Sequence, residues 1–138
     1  MNSILVKLAK ANKNVVLLST GALCFRDCEE FSRSFPDRFF NFGLAEANMI
    51  SAAAGFALAG KLPIVFGNAQ FLLERAFEQI KNDICLPNLN VKMVGVGAND
   101  SNKGLLEILE NVKFVDGEMD ELEHLCAEYG PSYLEIGV

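Results

Sequence analysis

The sequence predicts an α/β domain: a mostly parallel sheet of about six strands with helices on both faces. Two observations carry that reading. Short β-branched and leucine runs such as "VVLLS" and "LPIVFG" alternate with longer segments of helical character from one end to the other. The runs are continuously apolar rather than alternating, which marks strands covered on both sides. No repeat, low-complexity segment or linker interrupts the pattern, and 138 residues suit one domain spanning 1–138.

Residues 2–11 read as a short amphipathic helix with Ile4, Leu5 and Leu8 on one face. Residues 15–19 are a buried strand. Residues 27–34 form a polar helix with Cys28, Phe31 and Phe35 turned inward, and the turn at Pro36–Asp37 leads into a second strand in "PDRFFNFG". Residues 45–59 form an apolar helix closed by Gly60. "LPIVFG" is a third strand, 69–85 a helix ended by Pro87, and "NVKMVGVG" a fourth strand. A short helix at 104–110, the strand "VKFV", an acidic helix at 118–129 and the closing strand "SYLEIGV" complete the alternation.

Composition narrows the function classes. The chain is 51% hydrophobic and 22% charged, which supports a packed core and argues against disorder. Net charge is -6 with no basic patch, so nucleic acid is not the expected partner. Lys7, Lys10 and Lys13 read as a solvated helix face rather than a membrane anchor. "KLAKANKNVVLLSTGALC" faintly resembles a secretion signal, but its apolar stretch is short and broken by Ser19, Thr20 and Gly21. No stretch is long enough to span a bilayer. The spacing of Cys24, Cys28, Cys85 and Cys126 matches no zinc or redox motif, and His124 is the single histidine. Four cysteines set among apolar residues behave as small hydrophobes, so a reducing cytoplasmic location is expected.

The stretch "NFGLAEANMISAAAGFALAG" raises a chemical question. Glu46 stands at the start of an almost uniformly apolar helix, just past the carboxyl end of the second strand. Ligands bind at strand carboxyl ends in such sheets. A buried carboxylate is costly unless paired or used. It can complement the helix dipole or serve a site, and the residues alone leave both readings open.

"FPDRFFNFGLAEANMISAAAGFALAGKLPIV" followed by "RAFEQIKNDICLPNLNVKMVG" closely resembles the pyrimidine-binding domain of transketolases, and most of all the C-terminal subunit of split transketolases. The likeness runs from Phe35 to Gly95 and resumes weakly in "GPSYLEIG". Pyruvate dehydrogenase β subunits and deoxyxylulose-phosphate synthase share the general pattern, and "PNLNVK" favours transketolase. The resemblance implies the thiamine-diphosphate-binding pyrimidine-domain fold. It also implies that Glu46, in the glutamate position of "G-x-A-E", bonds the pyrimidine ring of thiamine diphosphate. That contact favours the imino tautomer, which removes the thiazolium proton. The chemistry asks for a neutral acid in a dry pocket; burial favours that form and the helix N-terminus opposes it. Phe71 matches an aromatic that packs on the pyrimidine ring, although spacing alone does not separate that role from a core phenylalanine. Arg75 and Gln79, four residues apart on one helix face, are expected to serve a subunit interface or to hold the helix over the site.

Three departures from the family pattern stand out. The Gly-Asp-Gly…Asn motif that anchors the diphosphate and magnesium is absent, Asp116–Gly117 being only a fragment. Those ligands are therefore expected from a diphosphate-binding partner subunit, with thiamine diphosphate shared and magnesium held by the partner. Gly97 stands where the family carries a histidine, the loop after it is the short "ANDSNKG", and an aromatic expected near Asn68 is missing. The resemblance also implies a shortened subunit without the usual C-terminal domain. The expected function is thus the pyrimidine-binding subunit of a transketolase-like complex that transfers a two-carbon ketol unit, not active alone. The alternative is a degenerate, non-catalytic structural or regulatory subunit. Ala52, Gly55 and Ala59 recur at helical spacing and are expected to form a close interface in a homodimer or heteromer.

Overall fold

The computed structural model describes residues 2–97, 104–105, 109, 112–115 and 132–137; side chains at 2–3, 22–27, 112–115 and 132–137 lie outside that description. Helix α1 (Asn2–Ala11) leads into β1 (Val15–Ser19), α2 (Ala22–Ser34) and, after a 3₁₀ turn, β2 (Phe39–Asn41). Next come α3 (Glu46–Leu58), β3 (Leu62–Asn68), α4 (Ala69–Arg75), the single turn α5 (Phe77–Gln79) and a π-helical turn over Ile80–Cys85. β4 (Lys92–Val96), β5 (Val112–Val115) and β6 (Ser132–Gly137) complete the sheet.

The sheet has the order β2-β1-β3-β4-β6-β5, and all of its pairings are parallel. Side chains are described on four of its six strands, β1 to β4. The expected class, with helices on both faces, is therefore observed. Register follows one line across the centre, Leu17 opposite Ile64 and Ile64 opposite Lys92. The period-two geometry of β1 divides the core. Val15 and Leu17 pack with Leu5, Val6 and Ala9 of α1 and with Cys28 and Phe31 of α2. Val16 and Leu18 pack with Met49, Ile50 and Ala53 of α3 and Leu72 and Leu73 of α4. Each fully buried Leu, Ile or Phe contributes about 1.5–3 kcal/mol relative to exposure, so both faces are needed.

Two helices differ from the sequence expectation. α2 starts at Ala22 rather than 27, directly after Gly21, whose φ of 77° turns the chain out of β1. The expected single helix over 69–85 is broken. Ala76 leaves the helical region with φ -116°, although its N–H still reaches Leu72 O. Leu72, Ala76, Ile80 and Ile84 are all fully buried and recur every four residues. In a regular α-helix that spacing drifts by about 40° at each step. The wider π turn takes up the drift and keeps the row on the sheet. α3 matches its expected span within one residue at each end. It buries Glu46, Met49, Ile50, Ala53 and Ala54, the i, i+3, i+4, i+7, i+8 set of one face. Its other face is open: Gly55 and Ala59 are exposed and Ala52 half-buried. The helix expected at 104–110 has helical backbone at 104–105, and that expected at 118–129 lies outside the described residues.

Cys28 and Cys85 are buried thiols rather than half-cystines. The Cys24 side chain and Cys126 lie outside the described residues. No helix among the described residues is long and apolar enough to cross a membrane.

Candidate functional site

From β1 the chain crosses to β2 on one side and then to β3 on the other. α2 covers one face and α3 the other, as crossovers of one hand require when they run in opposite directions. The loops after β1 and β3 therefore diverge, and at such a switch point the general rule places a ligand crevice at the strands' carboxyl ends. Backbone bonds fix its rim. Phe42 N–H donates to Ser19 O at 2.9 Å, Gly21 N–H to Gly43 O at 2.7 Å, and Thr20 N–H to Phe66 O at 3.3 Å. Gly43 has φ 62°, and its N–H donates to Asn41 Oδ1 at 2.8 Å. The chain is thereby turned sharply into α3, and Glu46 falls on the first helical residue.

Glu46 is only 3% exposed. Arg75, at the end of α4, donates from Nη1 to Glu46 Oε2 at 3.4 Å. The Arg75 side chain is itself 51% exposed. Its guanidinium lies over the Phe71 ring, with Cζ 4.1 Å from the ring centroid. Phe71 is 38% exposed, so it is not a core phenylalanine; its ring stands at the crevice under the arginine. Two sequence-predicted residues, Glu46 and Phe71, thus meet through a third. Arg75 links the end of α4 to the start of α3 through this contact. It does not share a continuous helix face with Gln79, because the helix breaks between them. The pairing of Arg75 with Glu46 crosses 29 residues and has no local sequence signal. The stacking on Phe71 does have one, the i, i+4 spacing.

α4 is set tightly. Asn68 caps it, its Oδ1 accepting from Phe71 N–H at 3.2 Å. Where an aromatic was expected the chain thus has a residue that fixes the turn carrying Phe71. A Cβ on Gly95 would lie 2.9 Å from Ala69 Cβ and 3.0 Å from its Cα, so only glycine lets β4 approach the first turn of α4 this closely. Gly97, in the expected histidine position, has φ 77°, and a Cβ there would lie 3.6 Å from Asn68 Nδ2. A side chain at 97 is disfavoured by backbone conformation more than by space. Cys85, behind this layer, has its thiol pushed up from 9.0 to about 11 by burial. Among the described residues no group of carboxylates, histidines and cysteines could hold a metal ion.

A buried acid near a partly exposed aromatic ring, at the carboxyl ends of parallel strands and among glycine turns, marks a candidate ligand site in a domain of the doubly wound α/β class. Comparison with known proteins makes this specific. Residues 1–100 match the model of the transketolase pyrimidine binding domain, and the chain belongs to that family. It is 45% identical over 71 residues to a subunit of the apulose-4-phosphate transketolase of Actinobacillus succinogenes, covering 51% of this chain and 23% of that protein. It is 37% identical over 110 residues to the 1-deoxy-D-xylulose-5-phosphate synthase of Desulfotalea psychrophila, covering 75% of this chain and 17% of that one. Among solved structures, a split-gene transketolase described as an inactive beta4 tetramer superposes with a TM-score of 0.85 at 31% identity, over 99% of this chain and 49% of that one. The Campylobacter jejuni transketolase shares the fold with a TM-score of 0.84 at 15% identity, over 98% of this chain and 24% of that one. The chain therefore spans less than a quarter of the two curated relatives and about half of the split-gene chain.

Proposed function

We propose that this chain is the pyrimidine-binding part of a thiamine-diphosphate-dependent, transketolase-like complex that transfers a two-carbon ketol unit, and that a separate diphosphate-binding subunit completes the site. The observation that carries the reading is Glu46: a carboxyl group 3% exposed, on the first residue of α3, beside the open ring of Phe71. This donor set fits an aminopyrimidine, which needs one acid at a ring nitrogen and one flat apolar surface. Thiamine diphosphate supplies, when bound, a carbon acid that becomes a nucleophile at its thiazolium ring. This chain's share is to orient the pyrimidine on Phe71, hold a proton between Glu46 and the ring nitrogen, and keep water away from that contact. The sequence lacks a Gly-Asp-Gly…Asn motif, and on this reading the diphosphate and its metal fall to the partner. The uncovered face of α3 around Ala52, Gly55 and Ala59 suits close approach of another subunit, in a homodimer or a heteromer.

Gly97 favours a second reading, a non-catalytic structural or regulatory subunit, because glycine offers no side chain to a substrate. Titration calorimetry separates the two. The chain alone, given thiamine diphosphate and magnesium, shows no micromolar binding. With the product of an adjacent reading frame that carries Gly-Asp-Gly followed by asparagine, magnesium-dependent binding emerges. Tight association of the two subunits with no cofactor bound at millimolar concentration establishes the non-catalytic reading instead.

A further inference from the structure

Arg75 makes both of the contacts that an aminopyrimidine would need. Its guanidinium is planar, lies over Phe71 with Cζ 4.1 Å from the ring centroid, and donates an N–H to Glu46 Oε2 at 3.4 Å. Its own side chain is 51% exposed, and among the described residues these are its polar and ring contacts. From this geometry we infer that Arg75 is a displaceable stand-in for the cofactor ring: it fills the place between Phe71 and Glu46 in the unassembled subunit and must swing out before a pyrimidine can enter. The inference rests on the proposed function and adds a step to it.

The physical case has two sides. A buried carboxylate with no partner is costly, so the empty subunit needs a cation or donor at Glu46. The guanidinium meets that need and its flat face covers an aromatic ring that would otherwise be open to water. A half-exposed ion pair is weak, however, and an exposed cation–π contact is also small. Arg75 is therefore held firmly enough to protect the site and loosely enough to leave it. The energy spent in moving it is subtracted from the affinity for the ring. Half-exposure also gives it a route into solvent without disturbing α4, whose position is fixed independently by the Asn68 cap and the Gly95 contact.

The test uses the full chain and a millimolar probe, 4-amino-5-hydroxymethyl-2-methylpyrimidine, followed by NMR. In the parent protein the Arg75 side-chain resonances are shifted upfield by the Phe71 ring, and adding the probe returns them toward solvent values. Arg75→Gln, which keeps a donor but neither charge nor a full stacking plane, binds the probe about five- to tenfold more tightly, the size expected for releasing one weak ion pair and one exposed cation–π contact. A merely structural ion pair would lower the unfolding midpoint of Arg75→Gln and leave probe affinity unchanged. Equal or weaker binding by Arg75→Gln therefore overturns the stand-in role while the pyrimidine site itself survives. Absence of binding by both proteins, with Glu46→Gln equally silent, overturns the stand-in and the pyrimidine-site reading together.

Discussion

The molecule uses the same side-chain pair twice, to different ends. Arg38 lies over Phe35 with Cζ 4.1 Å from the ring centroid, and Arg75 lies over Phe71 at the same 4.1 Å. Arg38 sends Nη1 to the carbonyls of Ala9 and Asn12, at 3.1 and 3.3 Å. Ala9 O lies in the last turn of α1, and Asn12 O, which also accepts from Val15 N–H at 3.2 Å, lies just past it, so Arg38 works as a C-terminal cap and ties α1 to the turn before β2. Arg75 instead reaches the buried carboxyl group of Glu46 at the start of α3, beside the carboxyl ends of the strands. The first arginine completes the scaffold, whereas on the proposed reading the second covers the site. On that reading the two arginines are told apart by the identity of the acceptor, since the distance to the ring is the same.

The contrast is sharpest where the site side is most rigid. Gly95→Val forces a side chain against Ala69, whose Cα is 3.0 Å from the new Cβ, and no rotamer relieves it. It is expected to cost about 3 kcal/mol, as overpacking does, read as a shift of the urea midpoint. A near-neutral result would mean that α4 floats and that the site is not pre-set.

Arg38→Ala comes next. It removes two bonds to the end of α1 and the cover over Phe35, for an expected loss of about 2 kcal/mol. Arg75→Ala is the paired experiment. With its side chain half in water, and with water able to enter the space it vacates and solvate Glu46, it should cost about 1 kcal/mol or less. If urea denaturation ranks the two arginines the other way, the division between scaffold and site is wrong.

The smallest effect concerns Cys85. Burial raises its thiol to about 11 from 9.0, so the unfolded thiol ionises first. Its contribution to stability is complete below about pH 9 and is lost as pH rises through 11. Cys85→Ala should therefore flatten part of the decline in stability over that window. The native Cys85 should also resist alkylation at pH 8, where an accessible thiol reacts.

Most of the frame was legible in the sequence because buried strands announce themselves: "VVLLS" and "LPIVFG" became β1 and β3 at the expected places. Glu46 was legible because a lone acid before an apolar helix is chemically conspicuous. The break at Ala76 was not legible. A four-residue recurrence of buried positions looks like an α-helix in sequence, and only the drift against a flat sheet shows that it must widen. Nor was the Arg75–Glu46 pair, since α3 and α4 are brought together by β3 between them and not by any local spacing. The early start of α2 was missed because its first turn carries no side-chain cap, only Gly21 with its positive φ.

The central claim is that Glu46 is held buried for proton transfer to a bound pyrimidine. Its most direct test is the exchange of the thiazolium proton of thiamine diphosphate for deuterium, followed by NMR in the complex with the diphosphate-binding subunit, which needs no knowledge of the substrate. Glu46→Gln keeps the size and much of the hydrogen bonding but removes the acid. Exchange should slow by about 10²–10⁴-fold, the usual contribution of a positioned acid–base group, with circular dichroism and subunit association unchanged. Exchange as fast as in the parent complex would make Glu46 a helix-end residue paired with Arg75 and nothing more.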